Sequence, residues 1–262
     1  MKELNEASVP LRIMEDTKLW IDTKLNSEEM DFLWEIVSEE NKESWNHDLV
    51  GNISKSERIK DRDNWFYETA LKKHSEKMFY RNCSNYYEEY IEGDKPPPKF
   101  EMYSFWVNYQ KQYEFNPIHN HTGLYSFVIF MKIPTDWKEQ HALPISANSA
   151  APSASDFTFV WPEKDGGVCM TRKIKLCSED EGRMLFFPAT LQHQVYPFYE
   201  CEEERVTISG NIRLDVPQSP SKSLLYLDQY EDKEKIIKMM ENSVGIMKKE
   251  LKQMKKESEK EE

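Results

Sequence analysis

The sequence predicts a mainly β fold with a helical preface: a sandwich, jelly roll or closed barrel standing behind residues 1–99. Two observations predict it. Apolar residues recur at helical spacing up to Pro96-Pro97-Pro98 and alternate with a period of two after it. Beyond the prolines, short apolar runs follow one another with turn residues between them and no helical pattern intervening.

The elements follow in order. Asn26-Ser27-Glu28-Glu29 is a helix start, and behind it Met30, Phe32, Leu33, Ile36 and Val37 form an apolar stripe. A second helix is predicted from about Asn64 to Phe79, burying Trp65, Leu71 and Met78. The three prolines cannot continue a helix and end the preface. Strands are then predicted at Glu101–Tyr109, at Gly123–Met131 (apolar on both faces, hence buried) and at Phe157–Trp161. A Lys164-Asp165-Gly166-Gly167 turn leads to a strand at Val168–Leu176, and two more follow at Gly182–Phe187 and Arg205–Leu214. The small, polar stretch between Trp137 and Asp156 reads as a surface loop or a lid. Residues 230–262 carry Ile236, Ile237, Met240, Val244, Met247, Leu251 and Met254 at spacings of three or four, an amphipathic helix. The expected division is a preface over 1–99, a β core over 100–216, and a linker with a charged helix over 217–262.

The composition narrows the function. With 39% hydrophobic and 31% charged residues the chain is globular, and it has no apolar run long enough to span a membrane. No signal peptide opens the chain, so the expected location is the cytoplasm. A net charge of −12 argues against nucleic acid as a partner by bulk charge, since polyanions are repelled. The terminal helix leaves room for a homodimer. Cys83, Cys169, Cys177 and Cys201 show no CxxC spacing, so neither a zinc knuckle nor a redox pair is indicated. No P-loop, GxGxxG or nucleophile elbow is present.

Chemistry concentrates in a few positions. The chain has six histidines, and two of them stand in Asn116-Pro117-Ile118-His119-Asn120-His121. On an extended segment, residues two apart project to one side, so His119 and His121 can face one metal ion. The same spacing also arises by chance on ordinary strands. His193 follows a predicted strand end, and twelve residues later Arg205, Thr207, Ser209 and Asn211 share one face of a strand whose other face is Val206, Ile208 and Ile212. A lone buried cation is costly, so an inward Arg205 implies a bidentate carboxylate ligand. The alternative is a solvated face on which Arg205 pairs with Glu202, Glu203 or Glu204. His47, His74 and His141 fall outside the pattern, and Arg213 is a fallback for the clamp.

These blocks resemble a family. Trp106-Val107-Asn108, FNPIHNH at 115–121, SFVIF at 126–130 with Ile133-Pro134, FFPATLQHQVYPF at 186–198 and RVTISGNI at 205–212 are similar to the Fe(II)/2-oxoglutarate-dependent oxygenases. The branch they resemble is the prolyl-4-hydroxylase-like one of marine bacteria and their phages, which also matches DLVGNI at 48–53. For a phage-encoded chain the expected location is the host cytoplasm. The resemblance implies a double-stranded β-helix, the jelly-roll or cupin-like form, as the core. It implies Fe(II) held by His119, His121 and His193, with 2-oxoglutarate and O2 as co-substrates. Arg205 and Thr207 would bind the distal carboxylate of 2-oxoglutarate. Trp106 and Asn108 share one strand face with Ser104 and either touch the co-substrate or simply pack. Oxidative decarboxylation to succinate and CO2 would be coupled to hydroxylation of a small-molecule or peptidyl substrate. Most of the superfamily places a carboxylate where this chain has His121, which leaves Glu114 as an alternative ligand. Two further readings stand beside this one. They are a three-histidine, cupin-type dioxygenase that needs no 2-oxoglutarate, and a non-catalytic jelly-roll binding module.

Overall fold

The computed structural model describes residues 19–82, 99–163 and 168–215. The predicted terminal helix, and the homodimer drawn from it, lie outside these residues.

Among the described residues ten strands make two antiparallel sheets. In chain order they are β1 (Ile21–Lys24), β2 (Lys55–Arg58), β3 (Phe100–Gln110), β4 (Asn116–His119), β5 (Tyr125–Lys132), β6 (Phe157–Pro162), β7 (Cys169–Ile174), β8 (Arg183–Pro188), β9 (Gln192–Val195) and β10 (Arg205–Leu214). The large sheet has the order β1-β8-β5-β10-β3-β2 and the small one β4-β9-β6-β7. From β3 to β10 the chain passes back and forth between the sheets, giving four-stranded layers β8-β5-β10-β3 and β4-β9-β6-β7. That is the double-stranded β-helix, a jelly roll.

The preface is less purely helical than the sequence predicts. β1 pairs with β8 and β2 pairs with β3, so residues before the prolines supply both outer strands of the large sheet. Each has four residues and a polar sequence, IDTK and KSER, with no apolar alternation to reveal it.

The helices are well specified. In α1 (Ser27–Ser38) the Asn26 side chain accepts from the Glu29 amide at 2.9 Å while Glu29 accepts from the Asn26 amide at 2.9 Å, a reciprocal capping box. The second helical segment begins at Trp65, passes through one wide π turn at Tyr67–Leu71 and continues as α2 (Lys72–Asn82). The Asp61 carboxylate accepts the Phe66 and Tyr67 amides at 2.9 and 2.8 Å, satisfying two donors that the first turn leaves free. The expected loop between Trp137 and Asp156 is instead partly helical, with α3 (Trp137–Ala142) and α4 (Pro144–Ala147). Asp136 caps α3 by accepting the Lys138 amide at 2.7 Å, and Pro144 opens α4, where its missing N–H costs nothing.

Two apolar clusters divide the core. One joins Leu33, Ile36, Phe66, Leu71 and Met78 of the helices to Phe127, Ile129, Val206, Ile208 and Ile212 of the large sheet. The other joins Val128, Phe130, Phe157, Phe159, Leu185 and Phe187. Successive residues of β5 therefore serve opposite clusters, which is why the strand is apolar throughout. Gly210 of β10 is needed where it stands: a Cβ there would lie 2.6 Å from Phe127 Cζ and 2.8 Å from the Ser104 carbonyl oxygen. Among the described residues no helix is long and apolar enough to cross a membrane.

Candidate active site

Sheet register brings the histidines together. His119 of β4 lies directly opposite His193 of β9. His121, two residues past His119, is fixed by its amide donating to the Ala189 carbonyl at 2.8 Å. The three residues offer one nitrogen each, all within 4.8 Å of one another, and among the described residues no carboxylate or cysteine joins the group. Ring centroids lie 4.3 Å apart for His119 and His193 and 5.0 Å for each of the other two pairs.

Neighbouring carbonyls fix the tautomers of two rings. His119 Nδ1 is 2.7 Å from the Pro117 carbonyl oxygen and His193 Nδ1 is 3.1 Å from that of Leu191. A carbonyl can only accept, so each Nδ1 carries the proton and each Nε2 presents its lone pair, as a metal ligand requires. Nε2 of His121 approaches Nε2 of His193 to 3.3 Å. His193 is 4% exposed, among the rings of Phe157, Phe159 and Phe187. Burial pushes the pKa of all three down, that of His121 to about 4, and His193 well below its ordinary 6.5. Neutral imidazoles crowd together without repulsion and need no deprotonation to bind a cation.

The same cavity holds Arg205, Thr207, Trp106 and Asn108. Arg205 is 1% exposed, the largest fully buried side chain among the described residues. Its Nη2 donates to the Ser155 carbonyl oxygen at 3.1 Å and to Ser155 Oγ. Phe198 lies under the guanidinium, 5.2 Å from ring centroid to Cζ. Nε and Nη1 have no hydrogen-bond partner among the described residues. Burial lowers the Arg205 pKa to about 10, and the field of Asp156 opposes the shift. The solvated alternative is thereby corrected: Glu203 pairs with Lys132 at 2.6 Å, Glu202 accepts from Gln112, and neither reaches Arg205. Arg213 is no fallback either, since it is exposed and pairs with Glu101 at 2.8 Å.

The remaining predicted positions separate by face. Trp106 and Asn108 reach the cavity on β3, beside Ser209 and Thr207 of β10. Trp106 Nε1 is buried with no acceptor among the described residues, and its ring lies 5.9 Å from that of His121. Asn108 Oδ1 accepts from Ser56 Oγ at 2.7 Å, so β2 orients it. Glu114 is occupied elsewhere: its two oxygens accept the Ser54 and Lys111 amides at 2.9 Å each. It therefore anchors the 48–53 segment, whose Asp48, Leu49, Val50 and Gly51 line the cavity mouth. Gly51 lets Asn116 approach so closely that a Cβ there would collide with its side-chain amide.

Sequence reasoning missed Ser155, Asp156 and His141. Asp156 is 0% exposed, and its Oδ1 lies 3.0 Å from His141 Nε2. Only His141's position fifteen residues before Asp156 links them in the chain, and no spacing rule connects such a pair.

The donors fit an iron site with a dicarboxylate. Three neutral nitrogens on one side leave a metal's other positions open. Two guanidinium nitrogens and an indole N–H, all buried and unpartnered, lack the acceptors that buried donors ordinarily have.

Residues 104–211 match the family model described as "Putative 2OG-Fe(II) oxygenase". No curated protein matches the sequence. A prolyl-4-hydroxylase from Pseudomonas putida is similar in structure, with a TM-score of 0.44 and 11% identity over 74% of this chain and 91% of that one. A viral collagen prolyl hydroxylase from Paramecium Bursaria Chlorella virus-1 has a TM-score of 0.41 and 14% identity over 75% and 97%. HygX from Streptomyces hygroscopicus, solved with nickel and 2-oxoglutarate, has a TM-score of 0.41 and 9% identity over 76% and 84%. The histidines and Arg205 fall within the stretch that the family model matches, and over that stretch the chain is similar to the 2OG-Fe(II) oxygenases.

Proposed function

We propose that His119, His121 and His193 hold Fe(II) and that Arg205, with Thr207, binds the distal carboxylate of 2-oxoglutarate, for hydroxylation of a small-molecule or peptidyl substrate. The observation that carries this reading is Arg205: a buried guanidinium with two unpartnered nitrogens in the cavity that the histidines share. A permanent cation in that setting calls for a resident anion. A dioxygenase that needs no 2-oxoglutarate has no use for such a clamp, and a binding module has none for three convergent imidazoles beside it.

With both groups bound, Fe(II) and 2-oxoglutarate supply the oxidative decarboxylation that consumes O2 and yields succinate, CO2 and the hydroxylated product. The chain's own residues do the positioning. The Pro117 and Leu191 carbonyls hold two imidazoles in their metal-binding tautomer. Trp106 Nε1 and the unpartnered Nε and Nη1 of Arg205 offer donors to the co-substrate's carboxylates. Phe157 and Phe187 exclude water on the side of His193. Asp48, Val50 and Asn116, at the mouth, are the side chains a substrate would meet first.

The test is anaerobic addition of Fe(II) and 2-oxoglutarate to the full chain. The expected result is the weak visible charge-transfer band of the chelate together with calorimetric binding of 2-oxoglutarate. Absence of both the band and the heat would overturn the proposal.

A further inference from the structure

We propose that His141 and Asp156 form a positioning pair for Arg205, setting how tightly the cavity holds the distal carboxylate of the co-substrate. The inference rests on the clamp reading of Arg205 given above. The loop that grips Arg205 is built to a fixed shape. Ser155 sits in the left-handed region at φ 71°, a conformation an L side chain adopts only when its surroundings enforce it. Its amide donates to the Pro197 carbonyl at 2.9 Å, the Asp156 amide to Ser153 at 3.0 Å, and the Tyr196 amide to Asp156 at 3.0 Å. Thr135 Oγ1 lies 3.2 Å from Ser155 Oγ. Both Ser155 oxygens thus meet Nη2, so Nε–H and Nη1 are the donors left for a ligand.

Asp156 is the next residue, wholly buried, with Oδ1 engaged by His141 and Oδ2 without a partner among the described residues. Its field reaches Arg205. A carboxylate in that position competes with an incoming carboxylate for one cation, unless something holds it off. His141 does so from α3, and α3 is tied down independently. Gln140 donates to the Tyr199 carbonyl at 2.8 Å and accepts the Tyr199 amide at 2.9 Å. The helix that replaces the expected loop therefore controls, through His141, how much of the positive charge of Arg205 is left for the co-substrate.

The two members of the pair act in opposite directions, which a merely structural role would not produce. With anaerobic Fe(II)-loaded protein, calorimetry should show His141→Ala weakening 2-oxoglutarate about fivefold and Asp156→Asn tightening it by a similar factor. His141→Gln, whose amide still donates to Asp156, should restore most of the affinity. Iron stoichiometry should not move, and in turnover the KM for 2-oxoglutarate should shift while kcat at saturation stays constant. Weakening by both His141→Ala and Asp156→Asn, or no change in either while Arg205→Ala abolishes binding, overturns the pair's role. Unchanged affinity in Arg205→Ala would instead show that the clamp reading has failed, and this inference with it. Should His141→Ala fail to fold, Asp156→Asn and His141→Gln still decide the matter.

Discussion

The two ends of the cavity solve the same problem, polar groups out of water, by different physics. At the histidine end, burial strips the charge: the pKa of all three imidazoles falls, and what remains is neutral lone pairs aimed at one point. At the arginine end the charge cannot be shed, because a guanidinium near pKa 10 is still protonated at neutral pH. The cost of burying the first set is therefore small without a ligand. The cost of the second is only part-offset by Ser155, Phe198 and the field of Asp156. One end is ready and relaxed. The other is held under electrostatic tension that a bound dianion would relieve.

Removing one ligand should break this comparison most completely. His193→Ala is expected to reduce bound iron to background and turnover by at least about a hundredfold, as loss of an inner ligand does. Iron stoichiometry measures it, and an unchanged value would remove His193 from the ligand set. Arg205→Met should separate the two ends: 2-oxoglutarate affinity falls about a hundredfold while iron stays. The 2-oxoglutarate-free protein should unfold at a higher temperature, because a buried charge has become a buried thioether. A lower midpoint would mean that Ser155 and Asp156 compensate Arg205 fully.

How much of this was legible in the sequence follows from the range of each interaction. The histidine pair and the polar face of β10 could be read because period-two projection is local. The capping box of α1 and the buried β5 are equally local. β1 and β2 could not be read, since four-residue strands with at most one apolar side chain acquire their identity only from the neighbours they pair with, Phe186 and its flanks for β1 and Trp106 to Tyr109 for β2. α3 was hidden by the small residues that follow it, although Asp136 caps it in the ordinary way. The grip of Ser155 on Arg205 joins residues fifty apart and left no pattern to find.

Smaller effects sharpen the contrast from outside the cavity. Gly210→Ala puts a methyl against Phe127 and the Ser104 carbonyl at the centre of the large sheet, and should cost about 2–3 kcal/mol in denaturant unfolding. Because β10 carries Arg205, 2-oxoglutarate affinity should fall with it. The smallest effect concerns His74, against Phe186 on α2, whose pKa burial pushes from 6.5 down to about 4. The unfolded chain takes up this proton near pH 6.5 and the folded ring does not until about pH 4. Its contribution is thus intact above 6.5 and is lost as pH falls through that window. Discounted for partial exposure, the loss is on the order of 1 kcal/mol. His74→Leu should flatten the acid limb of stability against pH by that amount.

The two short strands of the preface also bear on where this chain can be cut. β1 covers β8 and β2 covers β3, so a fragment starting at Lys99 would bare the backbone donors and acceptors along both margins of the large sheet. The small sheet guards its own margins differently, with Pro117 in β4 and the charges of Arg172 and Lys173 in β7. β8 and β3 carry runs such as Met184–Phe187 and Phe105–Val107 at those margins, and uncovered they would template strand addition from other copies. The catalytic jelly roll therefore depends for its solubility, and not only for its packing, on eight residues that precede it in the chain.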